Sequence, residues 1–303
     1  MPTLEQLMEG LPTGAEWVWA AGVPFFLALL LGAIGSRSHD SRRGAAVGTA
    51  IGLLFGWLST HIELWGLPPL PPIYASDWLV LIATMATLAT LWTSAGERSG
   101  ALATVIPLTA ALAAVALTIR PRILAADWSA TEAAEQALLV GGPILLGWLS
   151  MERTARRRPT EEVLTLLLLV TVATSVAIGM SGSQKLAQGA GGLAAGLTAL
   201  LLLGLRSPAG SGGLALGAAG PSVALVGGLA MNGTLYAELG RDLHLLLLAP
   251  FVLAGVAARL PGGADPGRLA RVGRAILIAS PALVAAGLAV TRFEVADDGG
   301  GYY

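Results

Sequence analysis

Hydrophobic residues along the chain occur in ten long runs that short polar stretches separate. A helix needs roughly 20 mostly apolar residues, with a range of about 17–25, to cross a lipid bilayer. The runs approach this length and predict membrane-spanning helices near residues 17–35, 44–64, 78–94, 101–119, 133–150, 163–180, 186–205, 212–231, 243–258 and 272–291. We therefore predict an all-α, polytopic transmembrane helix bundle of about ten spans, which forms a single integral membrane domain over residues 1–303.

Two of the runs are less regular than the others. The ninth run is short, and the fifth contains Gly141, Gly142 and Pro143 near its middle, so we expect a kink or a tilt in either. Ser129 and Glu132 have the spacing of a capping box and predict where the fifth helix starts. Residues 3–9 place apolar side chains on one helical face and predict a short helix on the membrane surface.

The composition supports the membrane assignment and excludes several functions. Hydrophobic residues make up 54% of the chain and charged residues only 12%, compared with about 25% in a soluble domain. The absence of Cys excludes disulfides, thiolate metal sites and iron–sulfur clusters. A net charge of −1 argues against a nucleic-acid partner. No metal-binding or nucleotide-binding motif occurs, so we expect neither a metal nor a cofactor.

The distribution of basic residues predicts the orientation, because cytoplasmic loops are enriched in Lys and Arg. With an outward N-terminus and ten spans, 13 of the 18 basic residues fall on the inner side. The acidic residues show the opposite bias, with 13 of 19 on the outer side. These splits predict a multi-pass protein of the bacterial inner membrane with both termini on the outer, periplasmic side. The five outer basic residues are Arg120, Arg122, Lys185, Arg241 and Arg292.

Glycines predict where helices approach one another closely. Gly44, Gly48, Gly52 and Gly56 recur every four residues in the second run and form a face of small residues. Such a face permits close contact with another helix of the same chain or with a second copy in a homodimer. We favour contact within the chain, because a bundle of ten helices has many internal contacts to make.

No ionisable side chain lies in the middle of any run, which weakens the case for a proton-coupled transporter. Polar side chains are concentrated instead at the outer ends of the second, third and sixth to ninth runs. If these ends converge, they form a polar, net-acidic patch with one lysine that binds a small polar ligand, a lipid headgroup or a partner loop. The candidate ligand-binding residues are His61, Glu63, Tyr74, Asp77, Ser183, Gln184, Lys185, Asn232, Tyr236 and Glu238.

These candidates also have structural interpretations. His61 and Glu63 are two residues apart, so on a helix they diverge, cannot easily share a metal and are expected to contact solvent or headgroups. Lys185 is long enough to reach the interface without binding any ligand. We assign no catalytic residue, and the sequence favours a non-enzymatic role without deciding it.

Three functions remain open from the sequence. The leading hypothesis is binding or transport of a small or lipid-like molecule through an outward-facing polar site. The alternative is a non-catalytic scaffold or accessory subunit that packs against other membrane proteins. The third is an enzyme that modifies lipids in the outer leaflet, for which His61, Glu63 and Asp77 are the only acid–base candidates.

Overall fold

The residues described by the computed structural model form a bundle of ten helices and include no strand. These residues are 18–38, 41–94, 101–124, 127–206, 212–259 and 267–298, so the predicted surface helix at residues 3–9 lies outside them. The helices are α1 (Val18–Ser36), α2 (Ser41–Trp65), α3 (Ala75–Ser94), α4 (Ala101–Leu124), α5 (Ala130–Arg157), α6 (Thr160–Met180), α7 (Gln184–Arg206), α8 (Gly212–Tyr236), α9 (Arg241–Ala257) and α10 (Arg268–Asp298).

Each helix corresponds to one predicted hydrophobic run, so the predicted all-α bundle is confirmed. Eight of the helices found in the described chain are long and apolar enough to cross a membrane. The structure describes both of the runs that are less regular in the sequence. The shortest of the ten helices is α9, with 17 residues, and α5 contains a π-helical turn over Ala137–Gly141, directly before Gly142 and Pro143.

The centre of the bundle is α8, which is rich in glycine and alanine. This helix contacts α1 to α7 and α9, and its residues from Gly213 to Gly233 are buried except Leu216, which is half-buried. Small side chains allow this packing: a Cβ added at Gly217 would collide with the backbone of Ala46 in α2, and one at Gly227 with the side chain of Ile144 in α5. The low side-chain volume of α8 therefore lets many helices approach one axis.

The predicted glycine face of α2 packs within the chain. A Cβ added at Gly48 would collide with the carbonyl group of Leu31, and one at Gly56 would lie 2.9 Å from the Cα of Pro24. Both contacts are with α1, which runs along the same face of α2. The expectation that this face serves internal packing is confirmed, and α1 and α2 form a tightly joined pair.

The helix ends form two groups at opposite ends of the bundle. At one end, Arg271 and Arg274 of α10 pair with Glu161 and Glu162 at the start of α6. At the other, Trp57 Nε1 of α2 donates a hydrogen bond to the Gly189 carbonyl of α7 at 3.1 Å. The first end contains most of the arginines and is called the arginine-rich end below; the second is called the opposite end. This grouping is the one that ten alternating spans predict.

Candidate functional site

A cavity of about 390 Å³ lies at the opposite end, where α4, α5, α8 and α9 meet. We call it the polar cavity, because its wall includes several charged and hydrogen-bonding side chains. These are Arg122, Gln136, Thr234, Glu238 and Arg241, with Trp128 beside them. Among the candidate ligand-binding residues predicted from the sequence, only Glu238 lines this cavity.

Arg122 is held in place by groups from two segments, the end of α8 and the residues before α5. The helix α4 continues five residues past its predicted end at Ile119, so Arg122 lies in its last turn. Its Nη2 donates to the Leu235 carbonyl at 2.8 Å, one of the terminal carbonyls of α8 that lack a partner within that helix. Its Nη1 lies 3.1 Å from the Asp127 carboxylate, and its guanidinium lies over the Tyr236 ring at 5.0 Å. The buried Nε has no partner within the described chain.

Gln136 forms the buried part of the wall. It is only 7% exposed, and its Oε1 has no hydrogen-bond partner among the described residues. A buried acceptor without a partner costs about 1–3 kcal/mol, which a donor within hydrogen-bond distance of Oε1 would recover. Gln136 directly precedes the π turn of α5, and π turns often occur at functional sites.

The π turn is joined to α9 by a buried histidine. His244 Nε2 lies 2.9 Å from the Val140 carbonyl, and a carbonyl can only accept, so Nε2 carries the hydrogen. His244 lies one turn beyond Arg241, so this histidine fixes α9 against α5 immediately behind the cavity.

Arg241 supplies a cation without a counter-ion. The side chain is exposed at the start of α9, and no ion pair joins it to any residue of the described chain. Glu238 is on the same wall but within salt-bridge distance of neither Arg241 nor Arg122. The cavity therefore combines an unpaired guanidinium with an unpaired amide oxygen.

Glu238 also borders a second cavity of about 390 Å³, between α6, α9 and α10. Its φ of +58° is unusual for a residue other than glycine. The backbone of this turn is closed by hydrogen bonds from Ala237 and Leu239 to the Gly233 carbonyl. Residues 238–240 thus separate the two cavities, and a strained residue at such a position is typical of binding sites.

His61 is placed differently from our expectation. We expected it to contact solvent or headgroups, but it is fully buried between Trp57 and Trp65, with ring centroids 5.3 and 4.8 Å away. Tryptophans four residues before and after His61 lie on the same helical face, which explains the stack. Neither ring nitrogen has a partner among the described residues. Glu63 is exposed, so the two side chains diverge as predicted.

Asp77 and Tyr74 belong to the turn before α3. The buried Asp77 carboxylate accepts hydrogen bonds from the backbone N–H groups of Ile73 at 3.0 Å and Tyr74 at 2.8 Å. The side chain of Tyr74 is exposed. The Asp77 carboxylate therefore stabilises the turn before α3.

The remaining candidates lie at the same end of the bundle. Ser183 is half-buried, and Gln184 and Lys185 are exposed at the start of α7, away from the walls of the polar cavity. Asn232 is buried and donates to the Gly228 carbonyl of its own helix. Tyr236 donates to the Thr118 carbonyl at 3.0 Å and supports Arg122. The predicted outer patch is thus divided into separate groups.

Four residues important for the cavity were not predicted as site residues. They are Arg122, Gln136, Arg241 and His244. We used the two arginines only to predict the orientation in the membrane, although they are two of the five basic residues predicted on the outer side. Gln136 and His244 are polar residues in the first turn of the two less regular predicted runs, which is the signal that could have identified them.

Comparison with known protein families, with curated proteins and with solved structures found no match for this chain. The geometry of the cavity is therefore the basis for the functional argument.

Proposed function

We propose that this membrane protein binds, and in doing so transports or presents, a small or lipid-like molecule with an anionic group at the polar cavity. The proposal rests on two residues in the wall of one cavity. Arg241 has no counter-ion among the described residues, and Oε1 of Gln136 has no hydrogen-bond partner among them. A guanidinium binds carboxylate or phosphate oxygens. An amide oxygen requires a donor, so the ligand also carries a hydroxyl or amine.

The proposal includes the orientation of the bundle. The arginine-rich end faces the cytoplasm of a bacterial cell, because positive charge near membrane spans is retained on that side. The polar cavity then opens on the outer side of the inner membrane. Two sources could supply the ligand there: a water-soluble anion or the headgroup of an anionic lipid in the outer leaflet.

The test uses the purified full-length protein and defined probes. Inorganic phosphate, succinate and phosphatidylglycerol are the anionic probes, and glucose and phosphatidylcholine are the neutral ones. Thermal unfolding in detergent gives the shift in Tm for each probe, because a ligand that binds only the folded state raises its stability. The cavity variant is Arg241→Gln, and Lys185→Gln is the matched control, because it removes one charge at the same end outside the cavity wall.

We expect at least one anionic probe to raise the Tm of the wild type and of Lys185→Gln, and Arg241→Gln to weaken that binding about tenfold. Stabilisation by phosphate or succinate identifies a soluble anion, whereas stabilisation by phosphatidylglycerol alone identifies a lipid headgroup. The proposal fails if no anionic probe binds, or if the two variants respond alike.

The alternative function is a scaffold or accessory subunit, favoured by the nearly complete burial of α8 and its tight glycine packing. Purification in mild detergent distinguishes it. A stoichiometric membrane-protein partner, together with no response to any anionic probe, supports the scaffold. A homogeneous monomer or homodimer that binds an anionic probe supports the ligand-binding function.

A further inference from the structure

A second site lies at the arginine-rich end, in a groove between α5 and α9. The groove encloses about 250 Å³. Its length is lined by Leu146, Leu149, Val252 and Val256, and its end by Arg153 and Arg259. We propose that this α5–α9 groove binds an anionic phospholipid, with the phosphate between the two arginines and an acyl chain along the leucines and valines.

The two helices run in the same direction, which brings the arginines to one level. Leu146 and Arg153 are seven residues apart in α5, and Arg259 lies seven residues after Val252, two residues beyond the end of α9 at Ala257. Seven helical residues span about 10 Å, so Arg153 lies about two turns beyond Leu146, and Arg259 lies in the turn that follows α9. The guanidiniums thus mark one end of the groove on both sides.

Close helix contact gives the groove its floor. A Cβ added at Gly255 would lie 2.6 Å from the Cβ of Ser150, so only glycine permits this approach of α9 to α5. The Arg158 guanidinium donates to the Ala257 carbonyl and joins the two helix ends. The groove is therefore a fixed feature of the packing. Its open side faces away from the helix bundle, toward lipid.

The acidic residues of the described part of the chain do not balance the positive charge of the groove. Glu152 accepts a hydrogen bond from Trp148 Nε1 at 3.1 Å, whereas Glu161 and Glu162 pair with Arg271 and Arg274. Arg153 and Arg259 are exposed, and within the described ranges neither is part of an ion pair. No acidic side chain of the described residues pairs with either arginine, and lipid phosphate is the anion at the level where the apolar groove meets the helix ends.

The test measures lipid binding to the full-length protein in detergent. The probes are phosphatidylglycerol and phosphatidylcholine with identical acyl chains, and inorganic phosphate. Native mass spectrometry counts the lipid molecules retained, and thermal unfolding gives the apparent affinity. The site variant is Arg153→Gln with Arg259→Gln. The matched control is Arg157→Gln with Arg206→Gln, which removes the same charge from two exposed arginines at the same end.

We expect phosphatidylglycerol to bind the wild type and the control double variant more tightly than phosphatidylcholine. Each arginine near the membrane surface contributes about fivefold to the binding of an anionic lipid, so the loss of both in the site variant should weaken phosphatidylglycerol binding about 25-fold. A Val256→Trp variant keeps both charges and fills the apolar part of the groove at an exposed position, so it should also reduce retention of the lipid.

Three results would overturn the inference: equal binding of the two lipids by the wild type, an equal loss in the control and site variants, or stabilisation by inorganic phosphate as large as that by phosphatidylglycerol. The outcome is separable from that at the polar cavity, because binding there depends on Arg241 and not on Arg153 or Arg259.

Discussion

The Nε2 atom of His244 lies 2.9 Å from the carbonyl oxygen of Val140, and this contact joins the start of α9 to the π turn of α5. Pro143, just beyond the turn, has no N–H to donate to the preceding turn, so the hydrogen bonding of α5 is altered where α9 packs against it. The contact also lies directly behind Gln136 and Arg241, which line the polar cavity. The cavity therefore depends on one buried hydrogen bond between two helices.

Replacement of His244 should destabilise the bundle. His244→Ala leaves the Val140 carbonyl without its donor and opens a space in a buried region, at a cost of about 2–4 kcal/mol in the free energy of unfolding. His244→Gln retains an N–H donor and should recover part of the loss. Unfolding in mixed detergent and sodium dodecyl sulfate measures these changes. The control is Leu245→Ala, which changes the next residue, on the exposed side of α9. An equal decrease in the free energy of unfolding in this control would contradict the stabilising role of the His244–Val140 contact.

The contact between α1 and α2 should tolerate no added methyl group. Gly48→Ala places a Cβ against the carbonyl of Leu31, and overpacking of this kind costs about 1–3 kcal/mol. Gly191→Ala in α7 is a matched control, because a Cβ there meets no atom within 4 Å. Since alanine is the better helix former, the control should be neutral or up to about 1 kcal/mol more stable. Equal Tm values for both variants would disprove internal packing of this face.

Replacement by glycine should stabilise the protein at Glu238 and destabilise it at Glu63. Glu238 has a φ of +58°, a conformation that costs a residue with a Cβ about 1–2 kcal/mol, so Glu238→Gly should raise the free energy of unfolding by about 1 kcal/mol. Glu63 is exposed within α2, and Glu63→Gly should lower it by up to about 1 kcal/mol. If both variants lose stability to the same extent, the turn at residues 238–240 is not strained.

Hydrophobic length was sufficient to predict where the helices lie. The ten runs match the ten helices, the Ser129–Glu132 capping box is present with both of its hydrogen bonds, and the spaced glycines of α2 contact α1. These features depend on residues close together in the chain or on one helical face. The length of α4 was underestimated, because Arg120 and Arg122 ended the hydrophobic run.

Those arginines remain helical because their charges are satisfied by other helices. Arg120 lies over the Trp78 ring at 5.2 Å, and Arg122 reaches the end of α8. A single sequence does not indicate which distant residues supply such partners. The polar cavity was missed for the same reason, since it needs α4, α5, α8 and α9 to converge. The burial of His61 could have been inferred, because Trp57 and Trp65 flank it on one helical face.

The central claim is that the two ends of the bundle face opposite sides of the membrane, with the polar cavity outward. The chain has no Cys, so single-cysteine variants need no altered background. Leu70 and Leu269 are 87% and 90% exposed at the opposite and arginine-rich ends. In intact bacterial cells with a permeable outer membrane, an impermeant maleimide should label Leu70→Cys, and label Leu269→Cys only after the inner membrane is disrupted. Labelling of Leu269→Cys but not Leu70→Cys in intact cells, or of both, would contradict the account.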